Sequence, residues 1–228
     1  MADRFFLPEP IGLGPATLEG PEAHHLSQVR RIPAGEQVTL FNGDGREYLA
    51  EIMGIGKKRV DLQIIRVDEI SREPATPVHV GCAMPKGDRG DFLIEKLTEL
   101  GATSFTPLMT ERSIVKSDDA KIDKLQRAVI EASKQCGRNV LMRVLPAVRF
   151  SEWIRNVTGL RWLAHPSGKS PFAPANGQLV TIAIGPEGGF SDREAELAVE
   201  AGWELRSLGA SILRIETAAI AAVVRATG

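Results

Sequence analysis

A glycine-rich segment in the C-terminal half has the residue types of a small-molecule site. The apolar residues Ile182-Ala183-Ile184 lead into Gly185-Pro186-Glu187-Gly188-Gly189. In α/β sheets, ligands bind at the carboxyl ends of strands, and glycine lets the backbone approach a ligand closely. The segment therefore predicts a ligand pocket, although a plain tight turn also fits a Gly/Pro cluster. It matches neither GxGxxG nor a P-loop, which disfavours a nucleotide-dependent kinase or dehydrogenase.

A second strand, glycine turn and helix follow between Ser207 and Ala218. Arg214 and Glu216 stand there among apolar neighbours, and charges in such a setting are costly unless they are paired or used. The two side chains can pair with each other or with a ligand. Glu216 alone also fits a first-turn carboxylate that the helix dipole favours.

A third short strand ends at Leu163-Ala164-His165-Pro166. A histidine here has the chemistry of a general base. A single histidine before proline is more typical of a turn residue, so the pattern favours a structural role for it.

The elements that position these turns follow from patterning. Residues 37–69 contain three runs rich in β-branched residues, which predict a small antiparallel β domain. Residues 70–77 carry two prolines and several charges, as linkers do. We therefore predict domains at 1–72 and 73–228.

The second domain alternates apolar strands with helices, which indicates an α/β fold with a mostly parallel sheet and helices on both faces. Ser191 and Glu194 form a capping-box pattern for a helix reaching about Ala201. Strands are predicted at 78–84, 160–164, 179–185 and 204–208, and helices at 91–100, 118–136, 191–201 and from 216.

Composition narrows the class of protein. Of 228 residues, 43% are hydrophobic and 25% charged, as in a folded domain. No apolar run reaches the ~18 residues that span a bilayer, and the N-terminus lacks signal-peptide order. These two observations predict a cytoplasmic protein. Cys82 and Cys136 are far apart and form no CxxC or Cys/His cluster, so we predict neither a disulfide framework nor a metal site. The net charge of −1 argues mildly against nucleic acid as a ligand.

Several motifs together resemble the bacterial 16S rRNA (uracil-N3)-methyltransferases of the SPOUT superfamily. They are GPEGGFSDRE at 185–194, LGASILRIETA at 208–218, KGDR at 86–89 and ERS at 111–113, and the resemblance extends to RFF at 4–6, HHL at 24–26 and LFNG at 40–43. It covers nearly the whole chain. GPEGG combined with LGxxILRxETA is more specific than either motif alone.

The resemblance implies a PUA-like RNA-binding β-barrel domain followed by a SPOUT domain with a deep trefoil knot. It implies a homodimer that binds S-adenosyl-L-methionine among three knot loops. The cofactor-binding residues would be Leu163, His165, Pro166, Ile184, Gly185, Pro186, Glu187, Gly188, Gly189, Leu208, Gly209, Ile212 and Leu213.

The implied reaction is methylation of N3 of one uridine, uracil 1498, in 16S rRNA of the small ribosomal subunit. Arg214 is our candidate for stabilising the uracil anion. Glu187 is a candidate for stabilising the positive methyl donor or orienting Arg214, although it could instead cap backbone amides. The predicted RNA-binding residues are Arg4, Arg30, Arg31, Lys86, Arg89, Arg112 and Arg138.

The sequence departs from the family pattern at three positions. Ser211 stands where relatives commonly carry arginine, Lys134 where many carry glutamate, and Ile215 where they carry a small residue. Two alternatives stay open: a SPOUT enzyme acting on a ribose 2′-hydroxyl or a tRNA base, and a non-catalytic RNA-binding or ribosome-assembly module. The identity of the general base also stays open. So does the form of the substrate, which is either free RNA or the assembled small subunit.

Overall fold

A computed structural model describes residues 3–113 and 119–228, except the side chains of 119–121. By their internal contacts these residues form two compact units. The first contains residues 3–73 and Ser133–Leu141, and the second contains the remainder. None of the helices in the described residues combines the length and the apolar character of a membrane-spanning segment.

The first unit is built on a five-stranded sheet in the order β1-β3-β4-β5-β2. Apart from the parallel β1–β3 pair, its pairings are antiparallel. Two register shifts between β4 and β5 are irregularities of the kind that bend strands and curl a sheet. The strands are β1 (Arg4–Phe6), β2 (Gly14–Glu19), β3 (Gln37–Phe41), β4 (Arg46–Ile55) and β5 (Arg59–Glu69), and after β2 come α1 (Gly20–His24) and a π-helical turn (His25–Arg30).

The three runs rich in β-branched residues between 37 and 69 predicted β3, β4 and β5, and the structure confirms these strands. In β5, Val60, Leu62 and Ile64 face a core and are each at most 2% exposed. This curled sheet agrees with the PUA-like fold that the resemblance implies.

The segment Ser133–Leu141 is bound to the first unit by charged side chains. Lys134 forms an ion pair of 2.7 Å with Glu22, and Arg138 one of 2.6 Å with Glu73. Asn139 donates from Nδ2 to the carbonyl oxygen of Ile70 over 2.9 Å. Lys134, which stands where many relatives carry glutamate, has a buried side chain. Because a buried charge requires a partner, the Glu22 carboxylate stabilises the Lys134 ammonium group.

The second unit contains an eight-stranded sheet whose main path runs β11-β13-β10-β12-β6-β7-β8, with β9 beside β7. All of its described pairings are parallel. The strands are β6 (Val78–Cys82), β7 (Ser104–Met109), β8 (Arg143–Val144), β9 (Val148–Arg149), β10 (Leu160–Ala164), β11 (Ser170–Pro171), β12 (Val180–Ile184) and β13 (Glu204–Ser207).

Helices cover both faces of this sheet, as the α/β prediction requires. On one face, Leu163 and Ala183 pack with Phe150 and Trp153 of α4 and with Ala198 of α5. On the other face, α2 packs against α6, which also lies on β6 and β12. The helices are α2 (Arg89–Glu99), α3 (Asp119–Cys136), α4 (Phe150–Trp153), α5 (Asp192–Glu200) and α6 (Ile215–Thr227); Asp118, the predicted start of α3, lies outside the described residues.

The strand order explains how distant parts of the sequence meet. β13, β10 and β12 are adjacent and parallel. Their carboxyl ends therefore lie at the same edge of the sheet, and the three turns that follow them are neighbours.

Candidate small-molecule site

The three turns form one pocket at this edge of the sheet. Its volume is about 480 Å³, within the range of small-molecule sites. The predicted residues that line it are His165, Pro166, Ile184, Gly185, Pro186, Glu187, Gly188, Gly189, Leu208, Gly209, Ile212 and Leu213.

Two other predicted residues do not belong to the described wall of the pocket. Leu163 is fully buried in the core between the sheet and α4, and the next residue, Ala164, reaches the pocket instead. Arg214 is exposed and forms the N-cap residue of α6. It is flanked by Leu213 and Ile215, which both line the pocket, so its side chain begins at the pocket rim.

Local packing fixes the conformation of the glycine-rich turn. Phe190 is 4% exposed, and its ring centroid lies 4.5 Å from that of Phe150. A Cβ atom on Gly185 would lie 3.1 Å from the Phe190 ring, so a larger residue there would displace it. Gly189 has a φ of +68°, a left-handed conformation that glycine adopts without strain.

The helix after this turn begins at the predicted capping box. Glu194 N–H donates to Ser191 Oγ over 3.2 Å, and Ser191 N–H donates to Glu194 Oε2 over 2.9 Å. Both side chains are buried. The sequence prediction is therefore confirmed, and the cap holds the end of the pocket turn in place.

A fourth segment, residues 110–113, contributes Arg112 to the pocket; its ERS motif was recognised from the sequence but was not predicted to lie at this site. Glu111 N–H donates to the second carboxylate oxygen of Glu194 over 2.9 Å. Arg112 lines the pocket and donates from Nη1 to the Gly188 carbonyl oxygen over 2.6 Å. Arg112 was predicted to contact RNA; the structure places it against the glycine-rich turn.

Glu194 thus joins the segment that carries Arg112 to the end of the glycine-rich turn, which leads to a prediction. Glu194→Ala removes two hydrogen bonds to backbone amides, so we expect a loss of about 1–3 kcal/mol in the free energy of unfolding. Urea unfolding measures it. Glu196→Ala is the control, because Glu196 is an exposed carboxylate on the same helix. Equal stability of the two variants would contradict the role of Glu194.

His165 behaves as a turn residue in this structure. Its Nδ1 accepts a hydrogen bond from the backbone N–H of Ser167 over 3.2 Å and lies 2.7 Å from Ser167 Oγ. These contacts close the turn after β10. They support the structural role that the sequence favoured.

Several charged groups are linked to the pocket through Glu187. Glu187 lies in the wall and pairs with Arg89 over 3.0 Å. Glu216 does not pair with Arg214 in the described contacts; its carboxylate lies 3.8 Å from Arg89 Nη1. Burial, and then the charges of Glu216 and Glu187, raises the pKa of the Cys82 thiol well above its usual range, so Cys82 stays neutral beside both carboxylates.

The predicted RNA-binding residues occupy different environments. Arg4 and Arg138 have side chains only 6% and 4% exposed, and each pairs with a carboxylate, Glu47 and Glu73 respectively. Such buried guanidinium groups brace the first unit and do not present charge to a phosphate in this structure. Arg30, Arg31 and Lys86 are exposed, and RNA contact by the whole set stays a prediction.

Two family models match the chain. A model described as an RNA methyltransferase domain matches residues 71–227, and one described as an RNA methyltransferase PUA domain matches residues 18–65. The chain belongs to the RNA methyltransferase family. The first model includes all four segments of the pocket.

Relatives within this RNA methyltransferase family share most of their length with the chain. The ribosomal RNA small subunit methyltransferase E of Synechocystis sp. is 32% identical, with 96% of this chain and 74% of the relative covered. The Bacillus subtilis protein of the same name is 31% identical, with 91% and 87% covered. The crystal structure of a ribosomal RNA small subunit methyltransferase E from Neisseria gonorrhoeae bound to S-adenosyl methionine superposes with a TM-score of 0.92 at 30% identity, covering 98% of this chain and 96% of that chain.

Proposed function

We propose that this RNA methyltransferase transfers the methyl group of S-adenosyl-L-methionine to N3 of a uridine, uracil 1498, in 16S rRNA of the small ribosomal subunit. The observation that carries the proposal is the pocket built from three strand-end turns, with two carboxylates, Glu187 and Asp192, in its wall. The relatives named above support the cofactor and the class of RNA.

The residues of the pocket fit such a cofactor. Ile184, Leu208, Leu213 and Ile215 supply apolar surface for an adenine ring and a methionine chain. The turns expose backbone groups that can bind the polar ends of a ligand. The Glu187 carboxylate places a negative charge in the pocket wall, which would suit a positively charged sulfonium.

Bound S-adenosylmethionine supplies an electrophilic methyl group on a positively charged sulfur. The protein must hold uracil N3 in line with that methyl group, and such positioning supplies much of the acceleration. N3 has to lose its proton, to solvent or to an unassigned general base, before or during attack, and the negative charge then spreads onto the adjacent carbonyl oxygens. We assign Arg214 to stabilise that charge. The N3 electron pair forms the new N–C bond, while the C–S bonding pair stays on sulfur as a neutral thioether.

The RNA side of the proposal follows from the chemistry of the target. Base pairing hides N3 of a uracil, so the target must be unpaired or flipped out of its stack. The exposed Arg30, Arg31 and Lys86 are our candidates to bind the phosphates nearby.

The remaining architecture is part of the same proposal. We infer a PUA-like RNA-binding domain at 1–72, a knotted SPOUT domain at 73–228 and a homodimer. The curled sheet of the first unit and the parallel sheet of the second support the two fold types. The trefoil knot and the dimer stay predictions from the resemblance.

Two measurements test the function. Calorimetry should detect binding of S-adenosylmethionine to the pure protein; no binding would leave the non-catalytic RNA-binding module. Mapping of methylated uridines in ribosomal RNA, from cells with and without the protein, should show that one N3-methyluridine depends on it. Loss of a ribose methylation or a tRNA base methylation instead would favour the alternative acceptors.

A further inference from the structure

A chain of three charged side chains leads from the pocket wall into the interior of the second unit. Arg89 Nη2 lies 3.0 Å from Glu187 Oε1, and Arg89 Nη1 lies 3.8 Å from Glu216 Oε2. One guanidinium is therefore shared between two carboxylates. We call these residues the Glu187-Arg89-Glu216 triad.

Three elements bring the triad together. Arg89 is the first residue of α2 and Glu216 the second of α6, and these two helices pack against each other. Glu187 comes from the glycine-rich turn after β12. Arg89 also donates from Nε to the Lys86 carbonyl oxygen over 3.4 Å, which holds the base of the guanidinium.

The two carboxylates differ in their surroundings. Glu187 is 39% exposed at its side chain and Glu216 only 9%. Glu216 Oε2 is buried and has no hydrogen-bond partner among the described residues, because 3.8 Å is too long for a hydrogen bond. A buried carboxylate oxygen without a partner is unfavourable, so a movement of Arg89 toward Glu216 would satisfy it.

The triad has an excess of negative charge, which favours the binding of a cation next to it. One guanidinium opposes two carboxylates, which leaves a formal charge of −1. The neighbouring Cys82 thiol adds no charge of its own, since burial and both carboxylates raise its pKa. A positive group in the pocket beside Glu187 would complete the neutralisation.

We propose that Arg89 and Glu216 are positioning residues that make Glu187 responsive to the charge of the ligand. With the pocket empty, Arg89 neutralises Glu187. When Glu187 faces a cation, Arg89 shifts onto the unpartnered Glu216 oxygen and leaves Glu187 to the cation. After methyl transfer the ligand is a neutral thioether, and Arg89 returns to Glu187, which favours product release.

This inference rests on the proposed function, and it is tested by binding alone. The measurement is calorimetric affinity for S-adenosylmethionine, a cation, and for S-adenosylhomocysteine, its neutral thioether, expressed as a ratio. In Glu216→Gln, Arg89 keeps Glu187 as its one carboxylate partner within the triad. We expect the preference for the cation to fall about fivefold, the scale of a partly exposed ion pair.

Replacement of Arg89 should have the opposite effect. Arg89→Met frees the Glu187 charge, so the preference for the cation should rise about fivefold, and Arg89→Lys should restore it toward the wild-type ratio. Glu95→Gln, on the exposed side of α2, is the control and should leave the ratio unchanged.

The outcomes separate this inference from the proposed function. If the wild-type protein binds neither compound, the proposed function fails. If it binds both and the two kinds of variant lower both affinities equally, the triad has only a structural role and this inference is overturned. If Glu216→Gln does not fold, the Arg89 variants decide: a raised ratio in Arg89→Met that returns toward the wild-type value in Arg89→Lys supports the inference, and an unchanged ratio in Arg89→Met overturns it.

Discussion

Arg214→Ala should lower the rate of methyl transfer by about 100- to 1,000-fold while the affinity for S-adenosylmethionine changes little. A factor of that size is typical for removal of one group that stabilises a developing negative charge. The position of Arg214 explains the expected separation of the two effects. It is exposed at the pocket rim, outside the described wall that would hold the donor, so it is available to the acceptor base.

Single-turnover assays with excess enzyme measure the transfer step, and calorimetry measures donor binding. Arg225→Ala is the matched control, since Arg225 is an exposed arginine near the other end of α6. Its removal should affect neither quantity. Wild-type turnover in Arg214→Ala would remove the catalytic assignment, whereas a large loss of donor affinity would place the side chain in the cofactor site.

Local patterns in the sequence predicted the parts of the site whose structure depends on neighbouring residues. The capping box at Ser191 and Glu194 is a contact across three residues, and it formed as expected. The glycine-rich turn and the turn after β13 follow short strands, and parallel pairing then brings them together. An α/β pattern predicts this meeting because parallel strands end at the same edge.

Contacts between distant residues could not be read from the sequence. Arg4 and Arg138 look like surface cations, yet their partners Glu47 and Glu73 are 43 and 65 residues away. The bond from Glu111 to Glu194 spans 83 residues and uses a backbone amide, which has no residue-type signal. The family resemblance implied Leu163 as a cofactor-binding residue, but side chains alternate along a strand and the Leu163 side chain faces the core.

Filling the pocket with a larger side chain at Ala218 should strongly weaken binding of the donor. Ala218 is in α6, one turn after Arg214, and its small side chain is 9% exposed and lines the pocket. Ala218→Phe places a ring in the space that we assign to the donor. Because overpacking a fitted site costs about 1–3 kcal/mol, we expect the affinity for S-adenosylmethionine to fall by up to roughly 100-fold.

Calorimetry of Ala218→Phe and Ala218→Ser, beside thermal unfolding of both, makes this test specific. Serine adds one atom and should bind the donor nearly as well as the wild type, so the loss must scale with the volume of the side chain. A phenylalanine variant that unfolds at the wild-type temperature and still binds the donor fully would mean that the cofactor lies elsewhere. Loss of binding in the folded phenylalanine variant alone would place the donor against the first turns of α6, between the glycine-rich turn and the turn after β13.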